Sequence, residues 1–330
     1  MAEIVIERPL LSWPSRLRRS VGAALTDGVF AGLTRGSRYL PISHPRLHGI
    51  EVVRDVPYLE SAGSSHLADI WRPMERTGPL PVVMYVHGGR FAKLSKDTHW
   101  LFNLWFARQG YVVMSINYRL APQHRFPAAV EDVCAAWRWL HKNAAGFGGD
   151  PNRMVVAGES AGGNLATALT VAACYRRPEP FARAVFDETP VPRAVMPACA
   201  YLQVTNPERF VTKNPYLIDR LHEVAEDYLH GVRVEAERGL DLADPLVALE
   251  RGEAPQRPLP PFFAPCGTWD VLIDDTRRLK VALERLNVRC EARYYPRGFH
   301  AFHGFVFTPS ARACWREAFG FFRESLEPRP

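Results

Sequence analysis

The feature that most restricts how this chain can fold is the pentapeptide Gly158-Glu159-Ser160-Ala161-Gly162 together with its flanks. Arg153 to Ala157 before it is an apolar run of buried-strand length, and Gly163 to Ala173 after it reads as a helix. A serine between the two sits on a sharp strand-to-helix turn. That turn lifts the hydroxyl out of the sheet and aims the first helical N–H groups at whatever the hydroxyl attacks. A side chain at either flanking glycine would collide with the neighbouring strand or helix. The pattern predicts a nucleophile elbow at Ser160.

Strands and helices alternate around this point. Gly49 to Val56 and His66 to Trp71 read as a hairpin turning at Ala62 to Ser65. Further strands are read at Leu80 to Val86, Tyr111 to Asn117, Ala194 to Leu202, Phe262 to Cys266 and Val288 to Tyr295. Helices are read at Thr98 to Arg108, Ala128 to Asn143 and Ser310 to Glu324. The alternation from residue 80 to 173 predicts an α/β fold, with a mostly parallel central sheet flanked by helices. Residues 1–48 hold no obvious strand and are expected as an N-terminal cap segment. Within them, Ser15 to Phe30 suits an amphipathic helix packing over the body better than a lipid anchor. The Pro-rich stretch from Gln203 to Pro261 is too long for a simple loop, so a catalytic domain over 49–330 is expected to carry a cap or lid at about 203–260.

The charge of +6 is spread along the 330 residues and no basic run interleaves with aromatics, so nucleic acid is not an expected partner. Six cysteines, at 134, 174, 199, 266, 290 and 314, form no C-x-x-C pair and read as buried thiols in a reducing cytoplasm. The N-terminus is acidic where a signal peptide needs base, and no apolar run reaches membrane-spanning length. A cytoplasmic chain without an integral membrane segment is therefore expected, with a homodimer left open. There is no H-E-x-x-H and no dinucleotide fingerprint, so neither a metal nor an organic cofactor is expected.

A serine hydroxyl attacks only once a base takes its proton, and in this topology the order is Ser, acid, His. Asp270 follows the Phe262 to Cys266 strand directly, and His300 follows the last strand on the loop Pro296-Arg297-Gly298-Phe299-His300. His303 is a rival base. Asp274 and Asp275 are rival acids, but they fall where a helix begins and suit its dipole. Glu159 should point away from the turn's apex and make a structural hydrogen bond or salt bridge. Backbone donors for an oxyanion are expected from Gly88, Gly89 and Arg90 after a central strand and from Ala161 at the helix start.

These motifs together resemble the hormone-sensitive lipase family of α/β-hydrolases, the bacterial esterases marked by H-G-G-G. The resemblance runs from about residue 66 to the C-terminus, through Ala68-Asp69-Ile70-Trp71-Arg72-Pro73, His87-Gly88-Gly89 and Asn117-Tyr118-Arg119-Leu120-Ala121-Pro122. It continues through Phe126 to Asp132, Asp150-Pro151, the elbow with Gly163, Asp270-Val271-Leu272 and His300-Ala301-Phe302. It implies a serine carboxylesterase acting on small esters of short to medium acyl chains, with Ser160, Asp270 and His300 as triad. It also implies Gly89, Arg90 and Ala161 N–H as oxyanion donors, and a cap built from the N-terminal and inserted segments. One departure is Arg90, where the third glycine of H-G-G-G would stand; its guanidinium can reach the acyl or alcohol pocket and favour a polar or anionic substrate. Trp100, Phe102, Trp105 and Phe106 either line an apolar pocket or belong to the core. An amidase, lactonase or peptidase would use the same triad. The gibberellin receptors are ligand-binding relatives that lose the catalytic His, whereas both His300 and His303 are present here.

Overall fold

The apolar runs become the inner strands of one sheet, because a strand covered on both faces has no polar side to show. The computed structural model describes residues 3–7, 32, 36, 43–60, 63–210, 212, 214–235 and 238–327. The helix expected over 15–30 lies outside the described residues. In chain order the strands are β1 (Glu3–Val5), β2 (Ile50–Pro57), β3 (Leu67–Pro73), β4 (Leu80–Val86), β5 (Val112–Ile116), β6 (Gly149–Glu159), β7 (Val195–Ala198), β8 (Arg233–Glu235), β9 (Phe262–Gly267) and β10 (Cys290–Tyr295). The α-helices are α1 (Trp100–Arg108), α2 (Ala128–Asn143), α3 (Ala161–Cys174), α4 (Pro180–Glu188), α5 (Pro215–Leu229), α6 (Pro245–Glu250), α7 (Ile273–Arg285) and α8 (Pro309–Leu326).

Among the described residues, eight strands form one sheet in the order β10-β9-β7-β6-β4-β5-β3-β2. It is parallel except where β3 pairs antiparallel with β2 and β5. The period-2 alternation of β4 divides the core. Val82, Met84 and Val86 join one apolar cluster with α2, α3 and α7, while Val83 and Tyr85 join a second with α1 and α8. The stripe Trp100, Phe102 and Phe106 is buried in that second cluster, where Phe106 meets Trp315 edge-to-face at 5.2 Å, so it is core rather than pocket. From β4 the chain moves to β5 on one side and then returns to β6 on the other. The C-terminal ends of β4 and β6 therefore flank a switch point, where open α/β sheets leave a crevice for ligands.

Two features depart from the sequence expectation. Residues 1–48 do hold a strand: β1 pairs antiparallel with β8 of the insertion, and Gly231 N–H donates to Ile6 O at 2.8 Å. Three residues are too few for a periodicity to show, and each strand exists only because the other meets it. The insertion is also not of one kind. Its strand β8 pairs with the N-terminal strand, whereas α6 buries Pro245, Leu246 and Leu249 against α3 and α7. Asn164 on α3 ties that return in place by donating to Ala243 O at 2.9 Å and Tyr201 O at 2.8 Å.

Candidate active site

The elbow forms because two glycines let helix and strand touch. A side-chain carbon at Gly158 would sit 2.5 Å from Gly162 O and 2.7 Å from Val86 O, and one at Gly162 would strike Val86 O and His87 O. The turn residue between them carries the strain: Ser160 has φ 54° and ψ −119°, far from the ordinary wells for a side-chain-bearing residue. Ser160 N–H donates to Ala198 O at 2.9 Å, which fixes the turn to β7. Ala161 opens α3, so its N–H is one of those with no carbonyl a turn earlier to take it.

Beneath the elbow lies Glu159, which points inward as expected. Its carboxylate accepts from Tyr85 Oη at 2.5 Å, Gly88 N–H at 2.5 Å and His99 Nε2 at 2.6 Å. Burial opposes its ionisation, but the His99 charge and the hydrogen bonds from His99 and Tyr85 overcome that and draw the carboxyl down to about 2. Because Gly88 N–H is already given to Glu159, Gly88 drops out of the expected oxyanion donors. Gly89 (φ 115°), Arg90 (φ 61°) and Phe91 (φ 58°) follow in positive-φ conformations. A side-chain carbon at Gly89 would overlap Lys93 O, so that position admits only glycine without rebuilding the loop. His87 stacks on Tyr118 at 4.3 Å, and burial pushes its pKa down to about 3, so it is a neutral strut.

Asp270 and His300 arrive from the loops after β9 and β10. Asp270 is 2% exposed; its Oδ2 lies 2.9 Å from His300 Nδ1, and its Oδ1 accepts Leu272 N–H at 2.9 Å. Burial alone would raise the Asp270 pKa and lower that of His300. Their mutual attraction outweighs it in both, so the acid falls below and the imidazole rises above its ordinary value. His303, the rival base, is buried against Phe102 at 5.1 Å and Trp315 at 5.9 Å, and burial pushes its pKa down to about 4. Asp274 pairs with Arg277 on the surface. Asp275 is buried, accepting Leu202 N–H at 2.8 Å and Arg209 Nη2 at 2.6 Å, so it does more than complement a helix dipole. Sequence reasoning did not find Tyr85, His99 or Leu272, whose roles depend on partners that no local pattern marks.

Ser160 and His300 line one pocket of about 300 Å³ with Gly89, Arg90, Arg220 and Phe305. Behind the triad, the sulfurs of Cys199 and Cys266 and an oxygen of Asp270 lie within 4.8 Å of one another. A hydrogen bond with Cys266, aided by burial, holds the Cys199 thiol protonated, so Cys199 is a neutral neighbour of the acid rather than a thiolate ligand. The six cysteines are free thiols.

A family described as having the alpha/beta hydrolase fold matches residues 83–304. Carboxylesterase NlhH of Mycobacterium tuberculosis is 30% identical over 262 residues, 77% of each chain. The thermophilic carboxylesterase EstE1, cloned from a metagenomic library, superposes with a TM-score of 0.68 at 26% identity, over 96% of this chain and 99% of its own. Esterase B from Lactobacillus rhamnosis shares the fold with a TM-score of 0.74 at 19% identity, over 96% of this chain and 97% of its own. The chain belongs to the α/β-hydrolase family. Within it, the chain is a serine carboxylesterase of the hormone-sensitive-lipase type. Among the described residues no helix is long and apolar enough to cross a membrane.

Proposed function

We propose that the ester bond is cleaved through an acyl-enzyme on Ser160, with short- to medium-chain acyl esters as substrates. His300 Nε2 takes the hydroxyl proton as Ser160 Oγ attacks the carbonyl carbon. Gly89, Arg90 and Ala161 N–H groups receive the oxyanion, and His300 then protonates the leaving alcohol. A water deprotonated by the same imidazole attacks the acyl carbon and frees the acid. Asp270 keeps the proton on Nδ1 so that Nε2 faces the serine, and it stabilises the imidazolium. The observation that carries this reading is the 2.9 Å contact from Asp270 to a His300 that shares its pocket with Ser160. The pocket's size, near the lower end of the roughly 300–1,000 Å³ of small-molecule sites, supports short acyl groups.

The test is hydrolysis of p-nitrophenyl esters from acetate to palmitate by wild type and Ser160→Ala. Wild type should turn over the short esters, and the variant should lose at least about 10⁴-fold in kcat. Undiminished turnover by Ser160→Ala, or cleavage of matched amides but not of esters, would overturn the proposal. We further propose that residues 1–48 and the α5–β8 part of the insertion form one cap over the catalytic domain, a reading that the β1–β8 pairing supports. The free thiols favour a cytoplasmic location.

A further inference from the structure

We infer that the pocket is selective for esters bearing a second, anionic group, a carboxylate at the far end of the acyl chain, and that Arg90 and Arg220 hold it. The inference rests on the ester-hydrolase reading and specifies its substrate class. Arg90 projects from the oxyanion loop and Arg220 from α5, and both line the pocket with Ser160. Their Nη1 atoms converge on the same Glu223 oxygen, at 2.8 and 2.7 Å. The two guanidiniums line the pocket, and Glu223 is not among its described lining residues. The one carboxylate among the described lining residues is Glu159, already committed to Tyr85, Gly88 and His99.

The two guanidiniums are offered to a substrate in partly dry surroundings. The Arg90 and Arg220 side chains are 16% and 11% exposed, which strengthens a charge pair relative to open water. Guanidinium planes suit carboxylates because two parallel N–H groups match two oxygens. Leu94, Phe299 and Phe305 supply the apolar wall for the methylenes between ester and carboxylate. Arg90 stands at φ 61°, where glycine is the least costly residue, so what arginine adds to this loop is its side chain.

The experiment compares kcat/KM for mono-p-nitrophenyl glutarate and adipate with that for the equally long valerate and hexanoate, after subtracting spontaneous release. The ratio of anionic to neutral ester cancels any loss of competence shared by both. It should fall about tenfold or more in Arg220→Gln and in Arg90→Gln. It should rise severalfold in Glu223→Gln, which removes the competing charge, and fall in wild type at high salt. A ratio unchanged within twofold across these proteins, with valerate still hydrolysed, would overturn the subsite. Failure of wild type to hydrolyse valerate at all would instead count against the ester reading. A measurement needing no variant guards against misfolding: glutarate should inhibit valerate hydrolysis competitively and glutaramide should not, and equal inhibition by the two would also overturn the inference.

Discussion

Two carboxylates bracket the reactive serine, and they are held in opposite ways. Glu159, below it, is 4% exposed and takes donors from a strand side chain, a loop N–H and an imidazole, all in the body of the fold. Glu223, above it, is 19% exposed and takes two guanidiniums, one from the oxyanion loop and one from its own helix. The lower site ties β4, the Gly88 turn and the elbow into a single hydrogen-bonded unit that cannot shift without stranding a buried charge. The upper site joins α5 to the loop after β4 through long side chains whose geometry can be redrawn when a ligand arrives. Rigidity beneath the nucleophile serves the chemistry, and adaptability above it serves the choice of substrate. The contacts around Phe91 fit the same division, since its ring stacks on Tyr228 of α5 at 4.0 Å and so joins that helix to the loop by packing instead of charge.

The largest effects should come from the rigid side. Asp270→Asn keeps the shape but removes the charge that sets the His300 tautomer, so kcat should fall about 10⁴-fold with the fold intact by circular dichroism. Glu159→Gln should cost about 3–5 kcal/mol of stability in urea at pH 7, because it leaves the other members of a buried charge network without their counter-ion. It should also lower kcat by up to about a hundredfold as the elbow shifts. The carboxyl's pKa is depressed from 4.5 to about 2, so its stabilisation is fully present above about pH 4.5 and is lost as pH falls toward 2. The stability gap between wild type and Glu159→Gln should therefore close over that window. A gap that stays constant down to pH 2 would show that Glu159 is held by shape alone.

A smaller effect separates the two sides by pH. As the proposed base His300 works only when neutral, and the attraction of Asp270 lifts its pKa above the ordinary 6.5 against the pull of burial. The kcat/KM of wild type should thus rise with pH through a single ionisation above 6.5 and then level. In Asp270→Asn the main lifting charge is gone and burial is opposed only by the weaker pull of Glu159, so the residual activity should rise at lower pH. Glu223→Gln, on the adaptable side, should leave the position of this limb unchanged for a neutral ester. A limb that moved with Glu223 would mean that the upper charges reach the triad.

What the sequence discloses follows the same line. The proposed triad could be read because chemistry dictates both residue types and their order, and because Asp270 follows the apolar run of β9 while His300 stands on the loop after β10. The inner strands were legible because burial on both faces forces a continuous apolar run. Glu159's partners were not, since Tyr85 lies 74 residues away in the chain and looks like any other residue of β4. Arg90 could be flagged by its departure from glycine, but not its pairing with Glu223, 133 residues on. The short helix α4 buries only Ala182 and Val185 and so leaves too faint a stripe to find.

The smallest effect tests why an arginine stands where glycine would fit with less strain. At φ 61° a residue with a side-chain carbon costs roughly 1–2 kcal/mol more than in a right-handed well, a cost that glycine largely avoids. Arg90→Ala keeps that cost and loses the contact with Glu223, so it should destabilise the protein by about 1 kcal/mol. Arg90→Gly loses the same contact but relieves the backbone, so its stability should lie near that of wild type. Glycine should then exceed alanine by about 1 kcal/mol in urea unfolding, the reverse of their order in a helix or strand. If alanine proves the more stable, the loop does not hold this conformation in solution. If both variants fall well below wild type, the Glu223 contact contributes more than a partly exposed ion pair usually does, and the upper bracket is stiffer than its exposure suggests.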